Sequence, residues 1–255
     1  MRNTLAIAEK ELRSYFSSPI GYMLIGFFAL LYGWFYVALL RYFVNQSMQI
    51  SQFGGGQSVN VNQMMIRPLL QNVTILMLFV LPMVTMRTYS EEKRSGTIEL
   101  LLTSPLTDIE IILGKFLGAM GLFAAMLGVT LIHIGFLFLY GRPEWKPLVT
   151  AYLGLLLLGG CFIAVGLLIS SLTKNQIVSS VVTFAVFLFL WVITWVGTAL
   201  GPTGEKLTSY LSFIEHLDDF TKGVIDTSHV VYYLSFIAFG LFLTAKSVDS
   251  ERWRG

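Results

Sequence analysis

The residues best suited to metal binding or acid–base chemistry cluster in the last fifth of this sequence. They are His216, Asp218, Asp219, Asp226 and His229, all within 14 positions. Mixed sets of imidazole and carboxylate groups can bind transition metals. The spacing here matches no compact ligand pattern, however, and the carboxylates are better explained as the solvated face of a helix. The sequence therefore predicts no metal site.

A second candidate is His133, which lies inside a long apolar run. Ionisable residues within a membrane span are costly to bury, so each one is a candidate for function. The alternative is a neutral imidazole that is hydrogen-bonded to a carbonyl group of a neighbouring helix. No carboxylate lies in the core of an apolar run, so a proton- or sodium-coupled relay has little to work with.

Two common catalytic motifs are missing from the sequence. It contains neither the G-x-S-x-G turn of serine hydrolases nor a Walker-type glycine loop for nucleotide phosphates. We therefore expect a chain that is not an enzyme and holds no cofactor of its own. The net charge of +2 is close to neutral, and we expect no nucleic-acid partner.

The composition is that of a membrane protein. Hydrophobic residues make up 55% of the chain and charged residues 13%, whereas soluble domains carry roughly 25% charged residues. Several apolar runs reach the ~20 residues that a helix needs to cross the hydrocarbon core. We predict an all-α, polytopic protein, one domain over residues 1–255, with six transmembrane helices. The predicted spans are Ile20–Leu40, Leu69–Met86 with a kink at Pro82, Ile111–Tyr140, Leu148–Ile169, Ile177–Leu200 and Val230–Ala245.

The segments outside the spans differ in character. Residues 2–16 place apolar side chains at helical spacing, which predicts a helix lying on the membrane surface. The alternative is a frayed, solvated terminus. Asn45–Gln63 is rich in Gly, Asn and Gln and predicts a loop, and Lys246–Gly255 predicts a charged tail. Glycines open the third predicted span and line the fourth, which suits close packing of helices in lipid or an interface between two copies.

Lysine and arginine placement predicts the orientation. These residues favour the cytoplasmic side of a membrane. With both termini on one side, that side holds 11 of the 17 Lys and Arg residues and the other side holds 6. We therefore predict that both termini, and the segment Arg87–Lys115, are cytoplasmic.

The segment Arg87–Lys115 is a charged island between two apolar runs, with nine charged residues in 29 positions. Gly96 is a poor helix former and predicts a break. A short helix is expected to follow over Thr97–Leu102, with Ile98, Leu101 and Leu102 towards the membrane and Glu99 towards water. Pro105 ends it, and Thr107 with Glu110 predicts a capping box for the next helix. The alternative is an ordinary charged loop between two spans.

The island also carries a longer motif. The stretch EEKRSGTIELLLTSPLTDIEIILGKFLG resembles the cytoplasmic signature of permease subunits in the type-2 export class of ABC transporters, E-x-x-x-G-T-x-E-x-L-L-x-x-P followed by a lysine. The matching positions are Glu92, Gly96, Thr97, Glu99, Leu101, Leu102, Pro105 and Lys115. IAEKELRSYFSSPIGY near the start and FIAVGLLISSLTKNQIVSS further on resemble other segments of the same family. The segment HLDDFTKGVID resembles the gliding-motility and nitrous-oxide-reductase-maturation branch.

The resemblance implies a working arrangement. Residues 90–106 would contain a coupling helix that docks on a separate ATPase subunit, with Arg94 among its contact or orienting residues. Two ATPase copies would bind ATP and Mg, and a second permease copy or a homologue would complete the complex in the inner membrane.

The same resemblance makes residues 201–228 an extracytoplasmic, re-entrant segment. Phe213, His216, Asp218, Asp219 and Lys222 would form a gate or contact a partner there. The spacing of apolar residues over Ser209–Asp226 predicts a helix, and Asp218 and Lys222 are placed as a favourable i,i+4 pair.

Three functions remain open at this point. The first is a permease that couples ATP hydrolysis by its partner to substrate export. The second is a non-translocating subunit that transmits force to, or anchors, an auxiliary protein outside the membrane. The third is an autonomous channel or carrier, against which the scarcity of charge within the spans argues.

Overall fold

The computed structural model describes residues 2–52, 60–103, 105–141, 143–199, 201, 204, 208 and 210–252. These residues form ten α-helices, one turn of π-helix and no strand. The helices are α1 (Arg2–Ser17), α2 (Pro19–Gln52), α3 (Arg67–Thr85), α4 (Ser90–Ser95), α5 (Thr97–Leu102), α6 (Asp108–Tyr140), α7 (Trp145–Leu172), α8 (Gln176–Ala199), α9 (Phe213–Thr221) and α10 (Thr227–Arg252), with the π-turn at Asn62–Ile66.

Within the described residues, six helical segments are long and apolar enough to cross a membrane. They correspond to α2, the π-turn with α3 and α4, and then α6, α7, α8 and α10. The all-α class and the six spans predicted from composition are thus confirmed. Most of α3 and α7 is buried, whereas α2, α8 and α10 are largely exposed at the periphery.

Several predicted boundaries were wrong. The predicted loop Asn45–Gln63 does not begin at Asn45, because α2 continues to Gln52. No Gly or Pro occurs between Leu40 and Gly54, so the polar residues simply extend the helix. Likewise α10 includes most of the predicted charged tail and ends at Arg252.

The helix predicted over Ser209–Asp226 is interrupted at Ser212 in the structure: Tyr210 and Leu211 are helical, and α9 covers Phe213–Thr221. Gly223 adopts φ 91°, a left-handed conformation that ends a helix and that side chains other than glycine rarely adopt. The preceding Ser212 caps the other end through its hydroxyl, which accepts from the Glu215 amide at 3.4 Å.

The N-terminal helix α1 packs along α6 at close range. A Cβ atom built on Gly114 would lie 2.6 Å from Ile7 Cβ and 3.0 Å from the Thr4 carbonyl oxygen. Gly118 and Gly121 face Glu11 and Leu12 in the same way. The glycines that open the third span therefore bring α1 against α6, and Tyr15 adds a hydrogen bond to the Val84 carbonyl of α3 at 3.0 Å.

We expect Gly114→Ala to destabilise the protein, because its methyl group would push α1 away from α6 at a cost of about 1–3 kcal/mol. Gly128→Ala is the matched control, since a Cβ built on Gly128 of the same helix meets no atom within 4 Å. The measurement is the apparent melting temperature of each purified variant in mild detergent. Equal melting temperatures for the two variants would contradict this packing.

Candidate functional site

The charged island folds as two short helices joined at a glycine. After α3 ends, helix α4 runs to Ser95, and Gly96 adopts φ 75° in the left-handed region. Helix α5 follows directly over Thr97–Leu102. The Thr107 side chain then caps α6 by accepting from the Glu110 amide, and the Glu110 carboxylate accepts from the Thr107 amide at 3.1 Å. The predicted break, short helix and capping box are all present.

The predicted coupling residues divide into an exposed group and a buried group. Arg94, Gly96, Thr97, Glu99 and Pro105 are exposed. Ile98, which was predicted to face the membrane, is instead buried within the protein core. Leu101 and Leu102 belong to the helix, but their side chains lie outside the described part of the structure.

One exposed residue was missed from the sequence. Leu100 of α5 is 73% exposed and lies beside Glu99 on the outer side of the helix. Together with Arg94, Thr97 and Glu99 it forms what we call the α5 face. Arg94 lies at the end of α4 and the other three residues lie on α5, so the face combines one exposed apolar side chain with one cation and one anion.

Lys115 belongs to the buried group and is only 1% exposed. Its ammonium donates to Glu92 Oε1 at 2.7 Å, to the Thr88 carbonyl at 2.9 Å and to Glu11 Oε1 at 3.1 Å. The ammonium also lies 5.0 Å from the centre of the Tyr89 ring. All three of its donors are therefore used, as a buried charge requires.

The Lys115 contacts join four parts of the chain. Glu11 lies on α1, Thr88 in the turn after α3, Glu92 on α4 and Lys115 on α6. Glu11 was not predicted as a site residue. The available signal was its place on the same helical stripe of α1 as Ile7, Ala8 and Leu12, where a charged residue has to be paired.

Two further contacts hold the α4 segment. Lys93, whose side chain is 3% exposed, bonds Glu251 at the end of α10 at 2.5 Å. The Ser170 hydroxyl of α7 accepts from the amides of Tyr89 and Ser90, both at 3.1 Å, and donates to the Met86 carbonyl. Helices α1, α6, α7 and α10 thus all contribute contacts to α4 or to the turn that precedes it.

At the opposite end of the bundle, the predicted outer residues form a second network. Asp218 accepts from Arg67, from Lys222 at 2.6 Å and from Gln71 at 3.2 Å. Partial burial raises the pKa of Asp218, but the hydrogen bonds from Lys222 and Arg67 outweigh it and leave the pKa below its ordinary value. Lys222 also bonds Asp219 at 3.2 Å. The i,i+4 pair predicted from the spacing is confirmed.

The two histidines of this network face each other. Their Nδ1 atoms are 2.6 Å apart, His216 Nε2 is 3.2 Å from the Tyr210 carbonyl, and His229 Nε2 is 3.0 Å from Asp219 Oδ2. The Tyr232 ring stacks on His216 with centres 4.0 Å apart. Among the described residues, no group of three or more side chains is arranged to hold a metal ion. Phe213 is buried beneath this network and offers no surface to a partner.

His133 lies apart from both networks. Its ring sits at the edge of the Tyr32 and Tyr36 rings, with centres 5.3 and 5.2 Å away. Nδ1 is buried and has no hydrogen-bond partner among the described residues. Nδ1 therefore does not make the bond to a neighbouring helix carbonyl that was the alternative to a functional role, and the ring packs against the two tyrosines.

Comparison with known proteins connects this geometry to a family. The family model described as "ABC-2 family transporter protein" matches residues 5–245. The chain belongs to this family. No curated protein matches the sequence.

Family membership indicates what kind of protein this is and what it associates with. The chain is a multi-pass membrane protein of the transporter permease type, and the family implies an ABC ATPase as a separate partner. The α5 face is exposed, and contacts from α1, α6, α7 and α10 hold the adjoining α4 and the turn before it.

We expect Lys115→Met to destabilise the permease by about 3–5 kcal/mol, because it leaves Glu11 and Glu92 close together with only the exposed Lys10, 3.9 Å from each, as a cation. The control is the triple variant Lys115→Met with Glu11→Gln and Glu92→Gln, which removes the stranded charges and should recover part of the loss. Apparent melting temperature in detergent is the measurement. A triple variant less stable than the single one would contradict the electrostatic explanation.

The paired histidines predict a pH dependence. Burial and the neighbouring His229 lower the pKa of His216, outweighing the opposing effects of the Tyr210 carbonyl and Asp219. In the unfolded chain His216 takes up a proton as the pH falls through about 6.5, whereas in the folded chain it does so only at lower pH. Protonation therefore favours the unfolded chain, and stability is lost as the pH falls below about 6.5.

We expect the apparent melting temperature to drop between about pH 7.5 and about pH 5, and to drop less in His216→Gln. The control is Asp226→Asn. The bond from the Ser228 amide lowers the pKa of Asp226, so that carboxyl stays ionised throughout this range. An equal drop in His216→Gln would show that the pair does not cause the effect.

Proposed function

We propose that this chain is the transmembrane permease subunit of an ATP-driven ABC exporter. Hydrolysis would occur in a separate ATPase subunit that docks on the α5 face. The observation that carries the proposal is the contrast within the charged island. Arg94, Thr97, Glu99 and Leu100 are exposed, while Glu92, Lys93 and Lys115 beneath them are held by α1, α6 and α10.

In the proposed cycle, ATP binding closes the ATPase dimer and displaces the α5 face. The displacement passes to α4 directly, because only Gly96 separates the two helices. It then reaches α1 and α6 through Lys115 and reaches α10 through Lys93 and Glu251. Buried ion pairs transmit such a push well, since separating their charges inside the protein is costly.

The proposed assembly has two permease copies, identical or homologous, and two ATPase copies that bind ATP and Mg. We place the complex in the inner membrane with both permease termini in the cytoplasm. The distribution of Lys and Arg supports this orientation. It places the α5 face on the cytoplasmic side, where ATP is available.

We expect the double charge reversal Arg94→Glu with Glu99→Lys to weaken capture of the ATPase by about tenfold, because it reverses the field of an exposed contact surface. The measurement is the amount of Walker-motif ATPase that co-purifies with the tagged permease from native membranes. Both side chains are exposed, so the fold should be retained.

Lys174→Glu is the control for this experiment, since Lys174 is exposed in the link between α7 and α8 and outside the α5 face. It should retain wild-type capture. Unchanged capture and unchanged ATPase activity in the double reversal would overturn the docking assignment. If no ATPase accompanies the wild-type permease at all, the autonomous-carrier hypothesis replaces this one.

A second candidate function is force transmission without transport, as in the gliding and maturation branch that the sequence resembles. The observation in its favour is the outer surface around α9. Tyr210, Leu211, Val224 and Ile225 are exposed apolar residues beside the ion network, which suits an auxiliary protein outside the membrane. ATP-driven substrate movement in proteoliposomes containing only permease and ATPase would favour the exporter over this alternative.

A further inference from the structure

The two facing histidines belong to one continuous chain of polar contacts between α9 and α10. His216 Nε2 is 3.2 Å from the Tyr210 carbonyl oxygen, and the two Nδ1 atoms are 2.6 Å apart. At the other end of the chain, His229 Nε2 is 3.0 Å from Asp219 Oδ2. Carbonyl and carboxylate oxygens only accept, so each Nε2 atom has to donate, and one Nδ1 atom has to donate to the other. The contacts are therefore complete when the four ring nitrogens carry three hydrogens, which means one imidazole and one imidazolium.

The protonation states on either side of this one lose a contact. With two hydrogens on the four nitrogens, one of the three contacts joins two acceptors. With four hydrogens, both Nδ1 atoms carry a hydrogen and point at each other across 2.6 Å. The Tyr232 ring, stacked on His216 at 4.0 Å, tolerates a charged imidazole but offers no acceptor to Nδ1. The pair therefore titrates as a unit, and both the gain and the loss of a proton weaken it.

The surrounding charges leave the histidines as the groups that titrate between about pH 5 and pH 8. The hydrogen bond from His229 and, to a lesser degree, that from Lys222 outweigh partial burial and lower the pKa of Asp219, so this carboxylate stays ionised. The other charged residues described on the elements around the pair are Arg67 on α3, Glu144 and Lys146 at the start of α7, Glu215 and Asp218 on α9, and Asp226 before α10.

The helix that the pair holds is also the wall of a cavity. Ile214 and Leu217 of α9 line a space of about 240 Å³, which is bounded by Gln71 of α3 and Trp191 of α8 on its other sides. Access to this space therefore depends on how firmly α9 is held in place.

We propose that His216 and His229 form a proton-dependent latch, which holds α9 against α10 while the pair carries one shared proton and loosens α9 at lower or higher pH. Other contacts of α9, among them the bond from the Thr150 hydroxyl to the Phe220 carbonyl at 2.7 Å, involve no group that titrates in this range. They hold α9 equally at each pH, so the pair alone sets the pH dependence. The latch goes beyond the proposed function and does not depend on an ATPase docking at the α5 face.

Counting protons predicts a pH optimum for the latch. The closed pair holds one proton beyond those of two neutral rings, whereas two released imidazoles hold two, one or none as the pH rises through about 6.5. Both states hold one at about pH 6.5, where the latch is tightest. The population of the released state then rises roughly eightfold by about pH 5 and by about pH 8. Burial and the neighbouring His229 lower the pKa of His216, which agrees with the acid side of this profile.

The experiment is hydrogen–deuterium exchange of the α9 backbone amides in the full-length permease in mild detergent, measured at several values between about pH 5 and pH 8. Dividing each rate by that of an unfolded peptide at the same pH removes the intrinsic pH dependence of exchange. We expect the corrected rate to be lowest near pH ~6.5 and roughly eightfold higher at each end of the range. The amides of α4, at the opposite end of the bundle, should show no such minimum.

Two matched variants should each remove one side of this profile. His216→Asn keeps an acceptor for His229 Nδ1 that cannot be protonated, so the acceleration at low pH should disappear and that at high pH should remain. His229→Asn keeps a donor for His216 Nδ1 but carries no charge, so the acceleration at high pH should disappear and that at low pH should remain. His133→Gln changes the third histidine of the chain and should retain both sides.

Nitrogen NMR of the wild-type protein labelled at histidine tests the proton count without any substitution. At about pH 7.5 a free imidazole is mostly neutral, yet one of the three rings should carry hydrogens on both nitrogens. Three rings with one hydrogen each would overturn the latch, and so would a wild-type exchange rate without a minimum or a two-sided profile in both asparagine variants. Loss of ATPase capture in the α5-face variant with the exchange minimum intact would affect only the proposed function.

Discussion

The structure depends most on the burial of one ammonium group, that of Lys115. A lysine that is 1% exposed loses its hydration, and the idealised cost of removing such an ion from water is many kcal/mol. Two carboxylates, a carbonyl and an aromatic face compensate for that loss only while all of them stay in place. Because these groups come from α1, the turn after α3, and α4, the position of each segment is determined by the same cation on α6.

The glycines of α6 make that arrangement possible. Gly114 immediately precedes Lys115, and Gly118 lies one turn later where it faces Glu11. Without side chains at these positions, α1 can approach α6 closely enough for the Glu11 carboxylate to reach the ammonium. The close packing of α1 on α6 and the ion pair between Glu11 and Lys115 therefore depend on each other.

The two ends of the bundle differ in how tightly their charges are held. The Asp218, Asp219 and Lys222 side chains are 30–45% exposed, so water and salt screen their interactions. The Lys115 and Lys93 side chains are 1% and 3% exposed and escape most of that screening. The ion pairs at the end that carries the α5 face are therefore less screened than those of the outer network.

What could be predicted from the sequence was local. The spans follow from apolar length, the Gly96 break from helix propensity and the Thr107 cap from a three-residue spacing. The pairs that hold the site together join residues far apart in sequence, with Glu11 and Lys115 separated by 104 positions and Lys93 and Glu251 by 158. No periodicity within one segment encodes such a pair. The predicted loop at Asn45 was wrong for a different reason: α2 continues to Gln52, because polar composition alone does not end a helix.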